Sequence, residues 1–393
     1  MAMNVYLDNS ASTRLLPSVL DAMLPYFHEH YGNASSLHSA GREAREAIDR
    51  ARATIAAALG AAPQEIVFTS GGTESNNMAI KGVAFANKDR GRHIIVSAIE
   101  HDCVLNSCRW LTGQGFRVSL LPVDESGLVD VWQLAEAIQH DTILVSVMHA
   151  NNEIGTIEPI EEIGELCRRR GVYFHSDACQ SFTRLPIDVS RQAVDLLTIN
   201  AHKIHGPKGV GALYIREGTR ITAWQHGGGH EGGMRSSTEN VPGIVGFAAA
   251  AKLCSDEADS QMPRLAALRD RIIERVLGSV GGAYLNGHRT RRLPTNVNLG
   301  FHGLEGDAIR LLLELDAAGI AVSTGSACSA NESENKPSHV LRAIGRNAVE
   351  ARGAVRVSLG LDNTEEEVEY FLETLTRTVE DLRSISSARL GGH

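Results

Sequence analysis

Long apolar runs are missing from this sequence of 393 residues. The longest, such as Ile143 to Met148, have the length of a strand, whereas a membrane-spanning helix needs about 20 apolar residues. An excess of positive charge is missing too, because the net charge is -9 and the pI is about 6.0. We therefore expect no membrane span, and neither a nucleic acid nor an anionic membrane surface as the main partner.

Cysteine is sparse, and its spacing excludes several kinds of site. The sequence has six cysteines, with no CxxC pair and no His/Cys spacing typical of metal ligands, so we expect no metal site. No charged-then-apolar leader precedes the first strand-like segment. These features predict free thiols in a reducing compartment, and cytoplasmic residence. The six residues are Cys103, Cys108, Cys167, Cys179, Cys254 and Cys328.

Strand-like and helix-like segments alternate through the first 255 residues. Residues 39–59 have the apolar spacing of an amphipathic helix that ends at Gly60. Strands are expected at 65–69, 93–97, 118–122, 143–148, 173–175, 196–199 and 210–215, with helices at 128–139 and 158–170. This alternation is typical of an α/β domain, in which helices cover both faces of a mostly parallel sheet.

After about residue 255 the pattern changes to longer helices and isolated strands. Helical segments are expected at 305–315 and 365–382, and a strand at 296–299. Because 393 residues are many for a single hydrophobic core, we predict a second, smaller α+β domain.

A lysine and an upstream aspartate give the first indication of chemistry. Lys203 lies in the run NAHKIHGPKG at 200–209, and Asp177 lies in SDACQ at 176–180. Pyridoxal phosphate (PLP) needs a lysine that binds it covalently and an acidic partner for its ring nitrogen. Lys203 and Asp177 suit these two roles.

An anion site and a carboxylate site are also indicated. The run GGT at 71–73 follows a predicted strand and opens a helix, where backbone N–H groups and the helix dipole favour a phosphate. Arg356 lies in the strand-like run AVRVSLG at 354–360. A guanidinium among apolar residues is poorly explained as core, and is the usual partner of an amino acid's carboxylate.

Cys328 differs from the other cysteines because it lies in a polar stretch, residues 323–335, rich in Gly, Ser and Asn. The other five are interpreted as small buried apolar side chains. A free thiol in a polar loop indicates reactivity that is used.

With these elements the chain resembles the cysteine desulfurases of the NifS/IscS type, from YLDN at 6–9 to RVSLG at 356–360. The resemblance implies a fold-type I PLP-dependent transferase with a mostly parallel, seven-stranded-type sheet. It also implies an N-terminal arm (1–15), a large PLP-binding domain (16–255) and a small α+β domain (256–393) that carries the Cys328 loop.

The resemblance also assigns roles to individual residues. It implies that His101 stacks on the cofactor ring and handles the proton of the substrate thiol, and that Asn33 assists Arg356 at the substrate carboxylate. The remaining implied cofactor contacts are Gly72, Thr73, Asn200, His202 and, from a partner subunit, Thr238 at the phosphate, and Gln180 and Asn152 at the ring.

The implied reaction converts L-cysteine to L-alanine. Lys203 removes the Cα proton, Asp177 balances the ring charge, and the Cys328 thiolate takes the sulfur as a persulfide. The implied partners are a second copy of the chain and sulfur-acceptor proteins such as an iron–sulfur scaffold. Two alternatives stay open: another fold-type I PLP enzyme (a selenocysteine lyase, aminotransferase or kynureninase-like lyase), or a non-catalytic assembly subunit.

Overall fold

The computed structural model describes residues 3–305, 308–324 and 337–390. The strands are β1 (Val5–Tyr6), β2 (Ile66–Thr69), β3 (His93–Ser97), β4 (Arg117–Leu121), β5 (Thr142–Ser146), β6 (Tyr173–Asp177), β7 (Leu196–Asn200), β8 (Gly211–Ile215), β9 (Ala283–Leu285), β10 (Asn296–Phe301), β11 (Ile320–Ala321) and β12 (Val355–Ser358). The helices are α1 (Pro17–Met23), α2 (Pro25–His28), α3 (Ser39–Leu59), α4 (Gly72–Ala86), α5 (Asp102–Thr112), α6 (Val131–Ala137), α7 (Ile160–Arg170), α8 (Val241–Ser279), α9 (Ala308–Ala317), α10 (His339–Ala343) and α11 (Glu365–Leu390).

The large sheet has seven strands in the order β2-β8-β7-β6-β5-β3-β4. The pairs from β7 to β4 are parallel, and β8 is antiparallel to both β7 and β2. Its central strands β3, β5 and β7 are buried throughout, as expected when helices cover both faces. The predicted α/β class with a mostly parallel sheet is therefore confirmed.

Helix α3 shows how the sequence specifies an element. Its buried residues recur at the spacing of one helix face, among them Ala44, Ile48, Ala51 and Ile55. It ends at Gly60, whose φ of 67° lies in the left-handed region that favours glycine. The predicted bounds, 39–59, are confirmed. Apolar residues of α3, α6, α7 and α8 pack in one core, whereas those of α4 and α5 pack in another against the large sheet.

A third core surrounds a three-stranded antiparallel sheet in the order β12-β10-β9. The N-terminal residues Val5 and Leu7 are buried in this core, and β1 pairs in parallel with β11. Helix α8 spans residues 241–279 and so includes the predicted domain boundary at 255. The division into domains stays a prediction.

Within the part of the chain that the structure describes, no helix combines the length and the apolar character that a bilayer crossing requires.

Candidate functional site

The candidate site lies where strands of the large sheet end and their loops begin. Asp177 is the last residue of β6 and Asn200 the last of β7, while Gly72 opens α4 just after β2. His101 immediately precedes α5, which follows β3. Ligands of α/β proteins bind at the carboxyl ends of the parallel strands, so the topology brings the predicted cofactor residues to one edge.

The carboxylate of Asp177 is buried and held by two donors. The amide Nδ2 of Asn76 donates to its Oδ2 at 2.6 Å, and the backbone N–H of Cys179 donates to its Oδ1 at 2.9 Å. These two bonds fix the orientation of the carboxylate at the end of β6. A fixed carboxylate suits the predicted role of Asp177 as the partner of the cofactor's ring nitrogen.

The start of α4 forms a cradle of the kind that a phosphate occupies. Gly71 has φ 150° and ψ -178°, a conformation open to glycine, and the space on its Cβ side is free within 4 Å. A Cβ on Gly72 would lie 2.6 Å from the Cys179 Sγ and 3.4 Å from the Asn200 Nδ2. The buried Oδ1 of Asn200 has no hydrogen-bond partner in the described part of the chain. The free backbone donors at this helix N-terminus fit a phosphate group. Asn200 could contribute only through its Nδ2, since its Oδ1 is an acceptor.

Lys203 lies in the turn after β7, which the N-terminal arm and Arg184 hold. Thr13 donates through its backbone N–H and its hydroxyl to the His202 carbonyl, both at 2.9 Å. Arg184 Nη2 donates to the Lys203 carbonyl at 2.7 Å. Burial, with the charge of Lys203 next in importance, lowers the pKa of His202 to about 4. The lysine therefore projects from a rigid turn beside a neutral imidazole.

His101 caps α5 and is close to the other site residues. Its Nδ1 accepts the backbone N–H of Cys103 at 3.2 Å. Burial lowers the pKa of His101, and the charge of Lys203 lowers it further, whereas Asp177 acts in the opposite direction. The imidazole is thus neutral at physiological pH and near both the lysine and the aspartate.

Gln180 and Asn152 frame the site from two other loops. Gln180 is buried, and its Nε2 donates to the Ser10 carbonyl at 3.0 Å. The Asn152 carbonyl accepts Arg356 Nη1 at 3.2 Å. Arg356 itself is 3% exposed, and its Nη2 pairs with the Asp8 Oδ1 at 2.8 Å. Asn152 and Asp8 engage two of its five N–H groups, and the buried Nε has no hydrogen-bond partner in the described residues. Donors therefore remain for the predicted role at a substrate carboxylate.

Two predicted contacts are not brought to this cluster within one chain. Thr238 is exposed, in a loop tied elsewhere by the Arg52–Glu231 ion pair. Asn33 is also exposed, and its Oδ1 accepts the Ser35 backbone N–H at 2.8 Å.

Cys328 lies outside the described residues, but the described residues on either side of the segment 325–336 contact the site. Ser323 exchanges two backbone hydrogen bonds with Arg356, at 3.1 and 2.6 Å. After the segment, the Ser338 hydroxyl donates to Glu153 Oε2 at 2.6 Å, and the His339 Nε2 lies 2.8 Å from the Glu100 carbonyl.

The other five cysteines are protonated thiols. Burial raises the pKa of Cys103, Cys108, Cys167 and Cys254 to about 12, and that of Cys179 well above its usual value. Four of them are buried, as predicted. The prediction was wrong for Cys103, which is half-buried and whose Sγ lies 3.0 Å from the His101 Nδ1. A cysteine in the first turn of a helix that a histidine caps can reach back to that histidine.

Three residues of the site were missed from the sequence: Asp8, Asn76 and Cys103. Asp8 stands in the YLDN run and Asn76 follows Gly72 by one helical turn. Residues one turn apart face the same side of a helix, so that spacing was a usable signal for Asn76. Nothing local to Asp8 indicated a partner 348 residues away.

Comparisons with known proteins agree with this geometry. The profile of the aminotransferase class-V family matches residues 5–371. A protein of Dictyoglomus turgidum named "Cysteine desulfurase IscS" is 51% identical over 386 residues, 98% of this chain and 97% of that protein. The human "Cysteine desulfurase" is 46% identical over 385 residues, 97% of this chain and 83% of that protein.

Solved structures give the same picture. A "NifS-like protein" superposes with a TM-score of 0.89 at 38% identity, and covers 96% of this chain and 100% of its own. The structure "SspA in complex with cysteine" superposes with a TM-score of 0.80 at 40% identity, over 90% of this chain and 98% of its own.

Proposed function

We propose that this chain, which belongs to the class-V aminotransferase family and is a PLP-dependent cysteine desulfurase, retains the sulfur of its substrate on Cys328. In the proposed reaction it converts L-cysteine to L-alanine. The supporting observation is the cluster at the strand ends, where Asp177 and Lys203 lie beside the phosphate cradle of Gly72. This arrangement fits PLP, and the described chain on either side of residues 325–336 is bonded to the same site.

The residues have distinct tasks in this proposal. When bound, PLP supplies an electron sink for the carbanion that forms at the substrate Cα. Lys203 holds the cofactor and takes the Cα proton, while the fixed carboxylate of Asp177 keeps the pyridine nitrogen protonated. Thr73, Asn200 and His202 surround the phosphate end, and Gln180 and Asn152 lie at the ring.

Arg356 is proposed to orient the substrate. Its guanidinium is buried and already held by Asp8 and the Asn152 carbonyl, so the direction of its remaining N–H donors is fixed before the substrate binds. A carboxylate bound there directs the amino group of L-cysteine toward Lys203. His101 is proposed to cover the ring and to hydrogen-bond the substrate thiol. Asn33 is proposed as a weaker contact at the same end of the substrate.

The sulfur step is proposed to occur on Cys328. Its thiolate attacks the substrate sulfur, so that an S–S bond forms as the Cβ–S bond breaks, and the bonding electron pair stays with the carbon skeleton. That skeleton takes up protons and leaves as alanine. The five described thiols are too weakly acidic to compete, because the thiolate is the nucleophile.

Mass spectrometry tests this assignment directly. After incubation with L-cysteine, the wild type should carry one added sulfur on the peptide that contains Cys328, removable by a thiol reductant. Cys328→Ser should still bind PLP and L-cysteine but release no alanine at a useful rate. Cys167→Ser, a buried thiol on α7, serves as the matched control. Sulfur on another cysteine, or full alanine release by Cys328→Ser, would favour an aminotransferase or lyase reaction.

A homodimer is part of the proposal, with Thr238 reaching the phosphate of the partner's site. The loop that carries Thr238 is tied by three ion pairs, Arg52–Glu231 at 2.7 Å, Arg45–Glu239 at 3.1 Å and Arg235–Glu74 at 2.8 Å. Large apolar side chains lie exposed on and after α1 and α2, including Tyr31 at 78% and Leu37 at 92%. A face of this kind is typical of an interface.

Subunit complementation tests the role of Thr238. Lys203→Ala and Thr238→Ala chains are mixed under conditions that exchange subunits. In a mixed dimer one of the two sites combines Lys203 from one chain with Thr238 from the other. Random exchange of equal amounts makes half of the dimers mixed, so the mixture should regain about a quarter of the wild-type sites. If Thr238 serves its own chain's site, the mixture should stay as weak as Thr238→Ala alone.

The sulfur is proposed to pass from Cys328 to an acceptor protein, such as an iron–sulfur scaffold, in the cytoplasm. The acceptor's thiolate attacks the outer sulfur of the persulfide and the Cys328 thiolate leaves, so no further redox partner is needed. Transfer of sulfur-35 from labelled L-cysteine to candidate scaffold and carrier proteins identifies the acceptor. A label that stays on this chain in the presence of every candidate would count against protein acceptors of that kind.

A further inference from the structure

A continuous chain of hydrogen bonds joins Asp177 to His101. Asn76 Nδ2 lies 2.6 Å from the Asp177 Oδ2 and 3.2 Å from the Cys103 Sγ. The Cys103 Sγ lies 3.0 Å from the His101 Nδ1. Asn76 is 1% exposed and Asp177 is 6% exposed, so water competes little for these bonds.

Each donor in this chain has one consistent direction. The ionised carboxylate of Asp177 only accepts, so the amide nitrogen of Asn76 faces it. The second proton of that nitrogen points to the Cys103 Sγ, which accepts it. The Thr73 hydroxyl also bonds to this sulfur and lowers the pKa of the thiol, as a donor does. Burial outweighs it and raises that pKa to about 12, so the thiol keeps its proton and the S–H is left to donate to the His101 Nδ1. The backbone N–H of Cys103 donates to the same nitrogen at 3.2 Å.

We propose that Asn76 and Cys103 are positioning residues that lock Asp177 and His101 into one arrangement and hold His101 as its neutral Nε2–H tautomer. The proposal rests on the proposed roles of Asp177 and His101 in the desulfurase reaction. Two donors occupy Nδ1, so the ring proton is on Nε2, the nitrogen left for cofactor or substrate. In this tautomer the Nε2–H of His101 can donate a hydrogen bond to the sulfur of an incoming substrate, and Nε2 cannot take the proton of the substrate thiol.

Several charged groups surround His101 without contacting the ring through a hydrogen bond among the described residues. Lys203 and His339 lower its pKa, and Asp177 and Asp102 raise it, all less than burial lowers it. These charges set the protonation state of the imidazole, but they do not choose between its two nitrogens. In the described structure that choice comes from Cys103, through its backbone and its thiol.

Nitrogen-15 NMR of histidine-labelled protein tests the inference without measuring turnover. Two-bond correlations between ring nitrogens and ring protons distinguish the Nε2–H from the Nδ1–H tautomer, and His101→Asn identifies the resonance. Spectra are recorded against pH for the holoenzyme and for protein freed of PLP. The variants are Cys103→Ser, which keeps a donor and acceptor, and Cys103→Val, which keeps the volume and removes both. Cys108→Ala, a buried cysteine on the same helix without a contact to His101, is the matched control.

The wild type, Cys103→Ser and Cys108→Ala should show the Nε2–H tautomer with the same low pKa. Cys103→Val should raise the pKa of His101 by roughly half to one unit, the loss of about one hydrogen bond to the neutral form. Its spectrum should also gain Nδ1–H signal. An Nδ1–H tautomer in the wild type, or identical spectra for wild type and Cys103→Val, would overturn the proposal.

Asn76→Leu tests the other half of the chain. This variant should lose the hydrogen bond that fixes the Asp177 carboxylate. Asp177→Asn should then change the pKa of His101 less in the Asn76→Leu background than in the wild-type background. An unchanged shift would show that Asn76 does not couple the two residues. These spectra are independent of whether Cys328 accepts sulfur, so a failed persulfide assay and a failed tautomer assignment are separate outcomes.

Discussion

The pair of Asp8 and Arg356 offers a quantitative test of how the substrate clamp is built. Arg356 lies on β12 with a side chain that is 4% exposed, and Asp8 lies on the N-terminal arm with a side chain that is 19% exposed. Among the described residues, Asp8→Ala would leave the buried guanidinium with the Asn152 carbonyl as its one hydrogen-bond partner. Because a buried charge without a partner is costly, we expect this single change to destabilise the fold.

The magnitude follows from the distance and the burial. At 2.8 Å and an effective dielectric constant of about 20, two unit charges attract by roughly 6 kcal/mol. Desolvation of both groups offsets much of that attraction, and breaking a buried pair typically costs about 3–5 kcal/mol. Since Asp8 is partly exposed, we expect a coupling energy of about 2–3 kcal/mol, below the range for fully buried pairs.

A double-mutant cycle measures this coupling. Urea unfolding is followed by circular dichroism for the wild type, Asp8→Ala, Arg356→Ala and the double variant, all without L-cysteine. The exposed pair Asp89–Arg220, with 3.4 Å between its charged atoms, is the control and should give a coupling of at most about 0.5 kcal/mol. The reasoning is refuted if the loss of unfolding free energy in the double variant equals the sum of the losses in the two single variants within about 0.5 kcal/mol.

Three further predictions concern the cofactor site and its surroundings. Lys203→Ala should abolish both turnover and the visible absorbance of lysine-bound PLP, and an absorbance that persists would place the attachment elsewhere. Gly72→Ala should weaken PLP binding and destabilise the fold by about 1–3 kcal/mol, because the new Cβ meets the Cys179 Sγ at 2.6 Å; adding Cys179→Ala removes that atom and should restore stability in thermal melts. Burial raises the folded-state pKa of Glu100 from 4.5 to about 8, so its stabilising contribution is complete below pH 4.5 and is lost as the pH rises through about 8. Glu100→Gln should therefore flatten the pH dependence of unfolding over that window, and an unchanged slope would show that Glu100 is ionised in the fold.

Much of the fold could be predicted because buried apolar residues recur at regular intervals in the sequence. Helix α3 was predicted at its observed bounds from the spacing of Ala44, Ile48 and Ile55 and the stop at Gly60. Helix α6 was predicted at 128–139 but spans Val131–Ala137. The Asp130 side chain accepts the backbone N–H groups of Trp132 and Gln133 and so starts the helix there. A capping side chain thus makes the helix begin later than the apolar residues alone indicate.

Some features of the site depend on short stretches of sequence, and others depend on contacts between distant residues. Asp177, Lys203 and Gly72 lie in short sequence runs, and the chemical type of each residue was enough to predict its role. The hydrogen bonds that give these residues their properties connect distant positions, such as Asn76 to Asp177 and Asp8 to Arg356. Pairings of that kind depend on topology and leave no periodic signal, so Asn76, Cys103 and Asp8 became visible only in the folded chain.

One short segment joins the two halves of the proposed chemistry. Its first residue, His149, donates its backbone N–H to the Asp177 carbonyl at the end of β6. Three successive carbonyls then accept side chains from around the smaller sheet: Asn152 accepts Arg356, Glu153 accepts Asn298 and Ile154 accepts Arg292, at 3.2, 3.2 and 2.8 Å. Because side-chain donors satisfy these backbone groups, the distance between the PLP-binding edge and the carboxylate clamp is set by covalent geometry over a few residues. The proposed reaction needs such a fixed spacing, because its proposed proton acceptor, Lys203, follows β7 of the large sheet and its proposed substrate anchor, Arg356, lies on β12 of the smaller sheet.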